Sequence, residues 1–329
     1  MIAIIGGGWF GCHIAACLQK RGVSFTLFEA SDRLFNGASG YNQNRLHLGF
    51  HYPRSAVTRR QSFEFAQTFM REYPTLSRDI DHNIYAVVSG ESLMDWETYR
   101  QVVNGPPWAE RDPAQFGLRN VEGCLDCTER VILTNKAREY FTRQLQEHLH
   151  LGERFEVTRC ADFQHIINCT YQTWNPAASD LVYEPCVTLI YETECRDAIT
   201  LMDGPFYSIY PFEDGTATLY SVRHSRLRVE NASDPEGARR RLDAFAMSLG
   251  GARWLIEKME EGISNWLPSF RDRYKYAGWH NAVRAISRDA SAARVCMVVQ
   301  QGNVIHVMSG KIDSIFHAES EVMRCLQFS

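Results

Sequence analysis

Ile2-Ala-Ile-Ile-Gly-Gly-Gly-Trp-Phe-Gly11, followed by Phe25-Thr-Leu-Phe-Glu29, is the stretch that decides the fold. Ile2–Ile5 is wholly apolar, the pattern of a short strand buried on both faces. Gly6, Gly8 and Gly11 form G-x-G-x-x-G directly after it, a helical pattern runs on to Gly22, and Phe25–Phe28 reads as a second strand ending at Glu29. Each glycine has a physical task in such a βαβ unit: the first allows the tight turn, the second lets backbone approach a pyrophosphate, and the third permits close helix–strand packing. A diphosphate then rests on amides at the helix N-terminus, and an acidic residue ending the second strand accepts from ribose hydroxyls. The expected nucleotide cradle is Gly6, Gly8, Trp9, Phe10 and Gly11, with Glu29 and Ala30 at the ribose.

The rest of the chain is consistent with a folded enzyme. Its 329 residues suffice for two lobes, and 45% apolar with 22% charged residues is ordinary for a globular protein. A net charge of −4 excludes the basic footprint of a nucleic-acid binder, and Arg239-Arg240-Arg241 reads as a solvated helix face. No apolar run approaches the roughly 20 residues of a membrane span, and the N-terminus lacks the basic leader of a signal peptide, so a cytoplasmic location is expected. Ten cysteines in that setting imply free thiols. Cys124-Leu-Asp-Cys127 is a lone CxxC without a second ligand pair at zinc spacing, so no metal is expected, and it is either a redox pair or a coincidence of a cysteine-rich chain.

Helical spacing of Phe63, Ala66, Phe69, Met70 and Tyr73 predicts a core-packed helix over Ser55–Tyr73, closed by Pro74. A strand is predicted at Asn83–Ser89, a loop at Asn104–Pro107, a helix at Asn135–Leu149, and strands at Phe155–Thr158 and His165–Cys169. After Pro176 the texture changes to short alternating runs, Val187–Glu192, Ala198–Met202, Tyr207–Tyr210 and Thr216–His224, with turns at Asp203-Gly-Pro205 and Glu213-Asp-Gly215. These predict an antiparallel sheet. A helix over Pro235–Ile263 and strands at Val295–Val299 and Val304–Met308 complete the pattern.

The loop after the second strand, Glu29-Ala-Ser-Asp-Arg-Leu-Phe-Asn-Gly-Ala-Ser-Gly-Tyr-Asn-Gln-Asn-Arg45, resembles the second FAD-contacting segment of the D-amino-acid oxidase, glycine oxidase and sarcosine oxidase superfamily. Gly37, Ser39 and Asn42 match its GxxSxxN-like loop. Asp162-Phe-Gln-His-Ile-Ile-Asn-Cys-Thr170 resembles the strand that returns to the cofactor, with Tyr171 where a glycine is common. The resemblance is strong over residues 1–60, fair over 120–176 and 277–318, and thin in the middle lobe. It implies an α/β (α+β) fold: a Rossmann-type FAD-binding domain of residues 1–74, 131–176 and 277–329, interleaved with an antiparallel-sheet substrate domain of 75–130 and 177–276. It also implies FAD as cofactor, a small molecule as substrate, and further cofactor contacts from Ser39, Asn42, Asn44, Arg45, His47, Val157, Cys169, Thr170, Gly310, Lys311 and Ile312. The oligomeric state is left open.

Four residues are candidates for chemistry. Gly278-Trp-His-Asn-Ala-Val-Arg284 resembles the family segment whose arginine holds a substrate carboxylate; Arg284 either does this or forms a structural ion pair, and Arg288 is its rival, with Asp289 as the later acid. Lys311, beside the Gly310 turn, either stabilises charge on the flavin pyrimidine or faces solvent. In Arg45-Leu-His-Leu-Gly-Phe-His-Tyr-Pro-Arg54, alternation puts Leu46, Leu48 and Phe50 on one face and Arg45, His47, Gly49 and His51 on the other. That arrangement presents polar groups to a shared cavity, where His51 suits proton transfer and a covalent flavin link through His47, His51 or a cysteine is a lesser option. Tyr210, with Tyr207, either lines the substrate pocket or packs as an interior aromatic. The expected activity is oxidation of a small amine or amino acid by hydride transfer to flavin N5. The alternatives are dehydrogenation of a hydroxy acid or sugar, and a non-redox role.

Overall fold

The computed structural model describes residues 1–175, 181–204, 206–212, 215–227, 234–287 and 296–327. Strand β1 (Ile2–Ile5), helix α1 (Trp9–Lys20) and strand β2 (Phe25–Glu29) form the predicted βαβ unit, with β1 and β2 parallel and Ile2 opposite Phe25. On its other side β1 pairs in parallel with His165–Asn168, and that strand pairs with Val304–Met308. The edges are Leu149–Leu151 beside β2 and the antiparallel Met297–Gln301 beside Val304–Met308, giving a six-stranded sheet. Parallel strands buried on both faces read as continuous apolar runs, which is why this half was legible.

The second sheet has eight strands in the spatial order Lys275–Ser287, Leu181–Glu192, Thr216–Ser221, Tyr207–Pro211, Ala198–Met202, Asn83–Val88, Val121–Cys127 and Trp108–Arg111. All neighbours are antiparallel except Ala198–Met202 with Asn83–Val88. Side chains alternate across it. One face puts Ile84, Val187, Leu189, Ile199 and Leu219 under Leu255, Met259, Ile263 and Phe270 of the covering helices. The other face turns toward the nucleotide half: Tyr85, Val87 and Leu125 join the core that contains Trp9, Phe69 and Phe141. At the far end of this inner face the pattern becomes polar, with Glu184, Thr188, Ser208, Thr218 and Arg284 in place of aliphatics. A third, small sheet of Arg45–Leu46, Arg130–Ile132 and Ser77–Arg78 ties the two halves together. Residues 277–287 belong to the eight-stranded sheet, so the domain boundary expected at residue 277 falls inside a strand.

Several local expectations are corrected. The helix Ala56–Glu72 is capped by the Ser55 hydroxyl, which accepts from the Thr58 amide, but Phe63 is 37% exposed and Phe65 takes the packed position. Phe155–Thr158 is no strand; Phe155 packs on Phe28 and Phe163, and a 3₁₀ turn begins at Val157. The run Pro235–Ile263 is two helices, Pro235–Met247 and Leu249–Ser264, because the Ser248 hydroxyl accepts from the Gly251 amide and starts a new helix at a Gly-Gly pair of weak helix formers. Asn135–Leu149 shortens to a helix over Thr134–Gln144, leaving Leu149 to pair with β2. Arg239 and Arg240 pair at the surface with Asp243 and Glu236, whereas Arg241 is half-buried, so the solvated face holds for two of the three arginines. Cys124 and Cys127 point to opposite faces of their strand, into separate cores, so they cannot bridge. Pro176, Pro205, Glu213, Asp214, Arg288, Asp289 and Val295 lie outside the described residues. Among the described residues no helix is long and apolar enough to cross a membrane.

Candidate active site

The glycines of the first turn meet a steric test. Gly6 has φ +100, and a Cβ there would lie 2.8 Å from the Cys169 carbonyl oxygen. A Cβ on Gly11 would overlap the Gly6 carbonyl, and one on Gly8 would stand 2.7 Å from the Ser39 hydroxyl. Thr170, after the strand that returns beside β1, donates its amide to Asn168 Oδ1. The backbone is thus drawn close together at the start of α1, the helix end whose amides can receive a diphosphate. Ser39 accepts from the Trp9 amide at 3.1 Å, which ties the 37–42 loop to the start of α1. Asn42 holds the loop in shape, donating to the Ala38 carbonyl and accepting from the Asn44 amide. Trp9 is 3% exposed and edge-packed on Phe35, Phe69 and Phe141, so only its backbone belongs to the cradle.

Glu29 accepts from the Gly7 amide at 2.7 Å through Oε2 and from the Ser31 amide at 2.8 Å through Oε1. A carboxylate has about four acceptor sites, so this fixed group keeps capacity for ribose hydroxyls while also stabilising the turn. Ala30 is exposed beside it. Val157 is 58% exposed at the start of a 3₁₀ turn. The donor set and the glycine-lined turn fit a dinucleotide cofactor: Gly6, Gly8 and Gly11 leave room for it, the α1 amides would meet its diphosphate, and Glu29 would meet its ribose.

Beyond the loop, alternation holds from Arg45 to Leu48 and then stops. Leu46, Leu48 and Phe50 are buried, but Gly49 has φ +109 and a Cβ there would press on the Arg59 backbone, so the chain turns instead of extending to His51. Arg45 makes contacts different from those of the histidines. It enters the inner face of the eight-stranded sheet, donating to Thr200 Oγ1 at 2.8 Å and Gln43 Oε1 at 2.9 Å, over the Tyr210 ring at 4.4 Å. Tyr210 is fully buried below it, donating to the Arg130 carbonyl and accepting from Asn83, so it is the interior aromatic and not a pocket wall. Tyr207 packs on Trp266 on the outer face. His47 and His51 do come together, rings stacked with centroids 5.4 Å apart, and both meet Tyr52. Lys311 lies 3.8 Å above the Tyr52 ring, which brings the Gly310–Ile312 turn to the same end.

Arg284 stands directly opposite Glu184 in the strand register, with Nη1 3.3 Å from Glu184 Oε2. It is also in hydrogen-bonding reach of Tyr171 and Cys186. The Tyr171 hydroxyl in turn sits 3.7 Å from where a Cβ on Gly310 would be, so Arg284, Tyr171 and the Gly310 turn meet at one place. Tyr171 has φ +56, a left-handed position that explains why glycine is common there in the family it resembles. Nearby, His280 lies between Tyr41 and Phe212; burial and the Arg33 charge push its imidazole down to about 4, leaving it neutral at pH 7.

Glu129, Glu184 and Tyr171 were not anticipated. Glu184 had a signal, a lone acid inside the apolar run Leu181-Val-Tyr-Glu-Pro-Cys-Val; Glu129 had none, because its partners are distant in sequence. His13, Cys17 and Glu319 gather ligand-type atoms within 4.8 Å, but His13 is engaged by Tyr73 and Glu319 at the junction of α1 with the helix Ile315–Cys325.

Among proteins of known sequence, the chain is 38% identical over 336 residues to the FAD-dependent monooxygenase FPY4 of Fusarium mangiferae, spanning 98% of this chain and 90% of the relative. It is 28% identical to the FAD-dependent monooxygenase kojA of Aspergillus flavus, over 98% and 84% of the two chains. Among solved structures, glycine oxidase from Geobacillus kaustophilus superposes with a TM-score of 0.70 at 10% identity, covering 100% of this chain and 95% of the other. The FAD-bound L-α-glycerophosphate oxidase of Mycoplasma pneumoniae gives 0.71 at 13%, covering 100% and 94%. The model of the FAD dependent oxidoreductase family matches residues 1–310, and with the cradle, the Ser39 loop and Glu29 in place the chain is an enzyme of that FAD-dependent oxidoreductase family.

Proposed function

We propose that the enzyme oxidises a small amine or amino acid at the carbon bearing nitrogen. Bound FAD would supply the acceptor for the substrate's hydride, at N5. The observation that carries the reading is the Arg284–Glu184 pair on the polar inner face of the sheet, joined through Tyr171 to the Gly310 turn. A guanidinium there binds a carboxylate with directional hydrogen bonds, and a neighbouring carboxylate receives an ammonium group, so the two together complement an amino-acid zwitterion. Glu184 would hold the substrate nitrogen beside the carbon that loses hydride. Arg45, Gln43, Ser208 and Thr218 hold the adjoining wall through hydrogen bonds of 2.8–3.3 Å and keep it in a single arrangement. Lys311, above Tyr52, places a cation near the negative charge that builds on a reduced flavin.

Oxidation of a hydroxyl-bearing carbon is the second reading. It is favoured by the stacked His47 and His51, since a hydroxyl must lose its proton as hydride departs and imidazole is suited to accept it. Anaerobic mixing with amines, amino acids, hydroxy acids and sugars, followed by flavin absorbance and an assay for released ammonia, separates the two. Bleaching with ammonia after air is admitted supports the amine reading, and bleaching by hydroxy compounds alone supports the other.

A further inference from the structure

Glu129 lies just before the strand Arg130–Ile132 and its side chain is fully enclosed, which an isolated carboxylate does not tolerate. Every oxygen is accounted for. Oε1 accepts from the Leu48 amide at 2.7 Å, while Oε2 accepts from the Tyr85 hydroxyl at 2.6 Å and stands 3.5 Å from His47 Nδ1. Burial alone would raise its carboxyl, but the nearby His47 imidazole and the hydrogen bonds from Tyr85 and Leu48 outweigh it and hold the group below the usual carboxylate range. The His47 ring is itself restrained on its faces and edge by His51 and Tyr52. A 3.5 Å separation is long for a hydrogen bond, and such contacts tighten when a site fills.

We propose that Glu129 is a positioning residue for the cofactor wall: its carboxylate accepts from His47 Nδ1–H and so fixes the ring as the Nδ1–H tautomer, with Nε2 at the far edge as the proton acceptor. The inference rests on the reading of the 39–52 segment as the flavin wall. Its chemistry is that of an imidazole oriented by a carboxylate on one nitrogen and acting through the other. Bound FAD would supply the acceptor for the hydride of the oxidised C–H, which departs with its electron pair. An O–H or N–H proton leaves for His47 Nε2, and the C=O or C=N bond forms from the electrons of the broken O–H or N–H bond. Glu129 stays ionised throughout and offsets the imidazolium.

The test is ring-¹⁵N spectroscopy of histidine-labelled, FAD-loaded protein at about pH 9, where imidazoles are neutral, with His47 assigned by the signal lost in His47→Asn. The proposal predicts the Nδ1–H pattern for His47 in the wild type and its replacement by the Nε2–H pattern in Glu129→Leu. Tyr85→Phe, which removes another partner of the same carboxylate, should leave the His47 pattern unchanged. An Nε2–H pattern in the wild type overturns the proposal even if Glu129→Leu does not fold, and so does an unchanged pattern in a folded Glu129→Leu. Failure of the flavin reading registers separately, as protein that carries no flavin while the tautomer is still measured.

Discussion

Replacing Arg284 by leucine removes a group that is both half of an ion pair and the proposed carboxylate ligand, and the two roles differ in size. Two unit charges 3.3 Å apart interact by about 5 kcal/mol at an effective dielectric of 20 and about 1 kcal/mol in water. The Arg284 side chain is 37% exposed, so solvent screening moves the value toward the lower limit, about 1–2 kcal/mol. For a chain of this size that is a fall in Tm of a few degrees. Loss of a bidentate, charge-assisted bond to substrate is worth about 3 kcal/mol in the transition state, or roughly 10²-fold in kcat/KM. Anaerobic stopped-flow reduction of Arg284→Leu should therefore slow by about that factor with flavin still bound, and Arg284→Lys should recover only part of it, since a point charge lacks the planar fork. Glu184→Gln should raise KM for amine substrates most at neutral pH, where the substrate carries its ammonium charge. A variant with the expected few-degree loss in Tm and an unaltered rate of reduction would reduce Arg284 to a structural residue and refute the zwitterion site.

Glu29→Ala should weaken FAD binding at least tenfold, read by equilibrium titration, since each bond to a charged group is worth about 1.5–3 kcal/mol. It should also lower Tm, because the Gly7 and Ser31 amides lose their acceptor; an unchanged Kd would mean that Glu29 does not hold the ribose. Gly11→Ala should abolish flavin retention on purification and cost several kcal/mol of stability, because the added carbon overlaps the Gly6 carbonyl; a yellow, equally stable variant would contradict the cradle. His280 titrates at about 4 in the folded protein against about 6.5 unfolded, so the unfolded state binds the extra proton between those values and stability falls as pH drops through that window. After screening the loss is about 1–2 kcal/mol, visible as a steeper decline of Tm from pH 6.5 to 4 in the wild type than in His280→Gln.

The nucleotide half was readable because it is local. The turn, the helix start and Glu29 occur within thirty residues, and each glycine answers a contact made by its own neighbourhood or by the returning strand at Cys169. What was not readable depends on register between distant strands. Glu184 faces Arg284, and Glu129 reaches His47 and Tyr85, only because those strands pair as they do. The period-two pattern failed at Gly49 for a similar reason: the turn is imposed by the Arg59 backbone, a tertiary contact. Tyr210 illustrates a second limit, since a tyrosine on an alternating strand can line a cavity or lie beneath an arginine, and only Arg45 decides which.

The central claim, an FAD enzyme that oxidises a small amine or amino acid, is tested most directly by anaerobic mixing of the purified holoprotein with a panel of amino acids and amines while flavin absorbance is followed. The account predicts bleaching by at least one amino acid, with ammonia or the free amine released when air is admitted. Bleaching by hydroxy acids or sugars alone, with no nitrogen product, would contradict it.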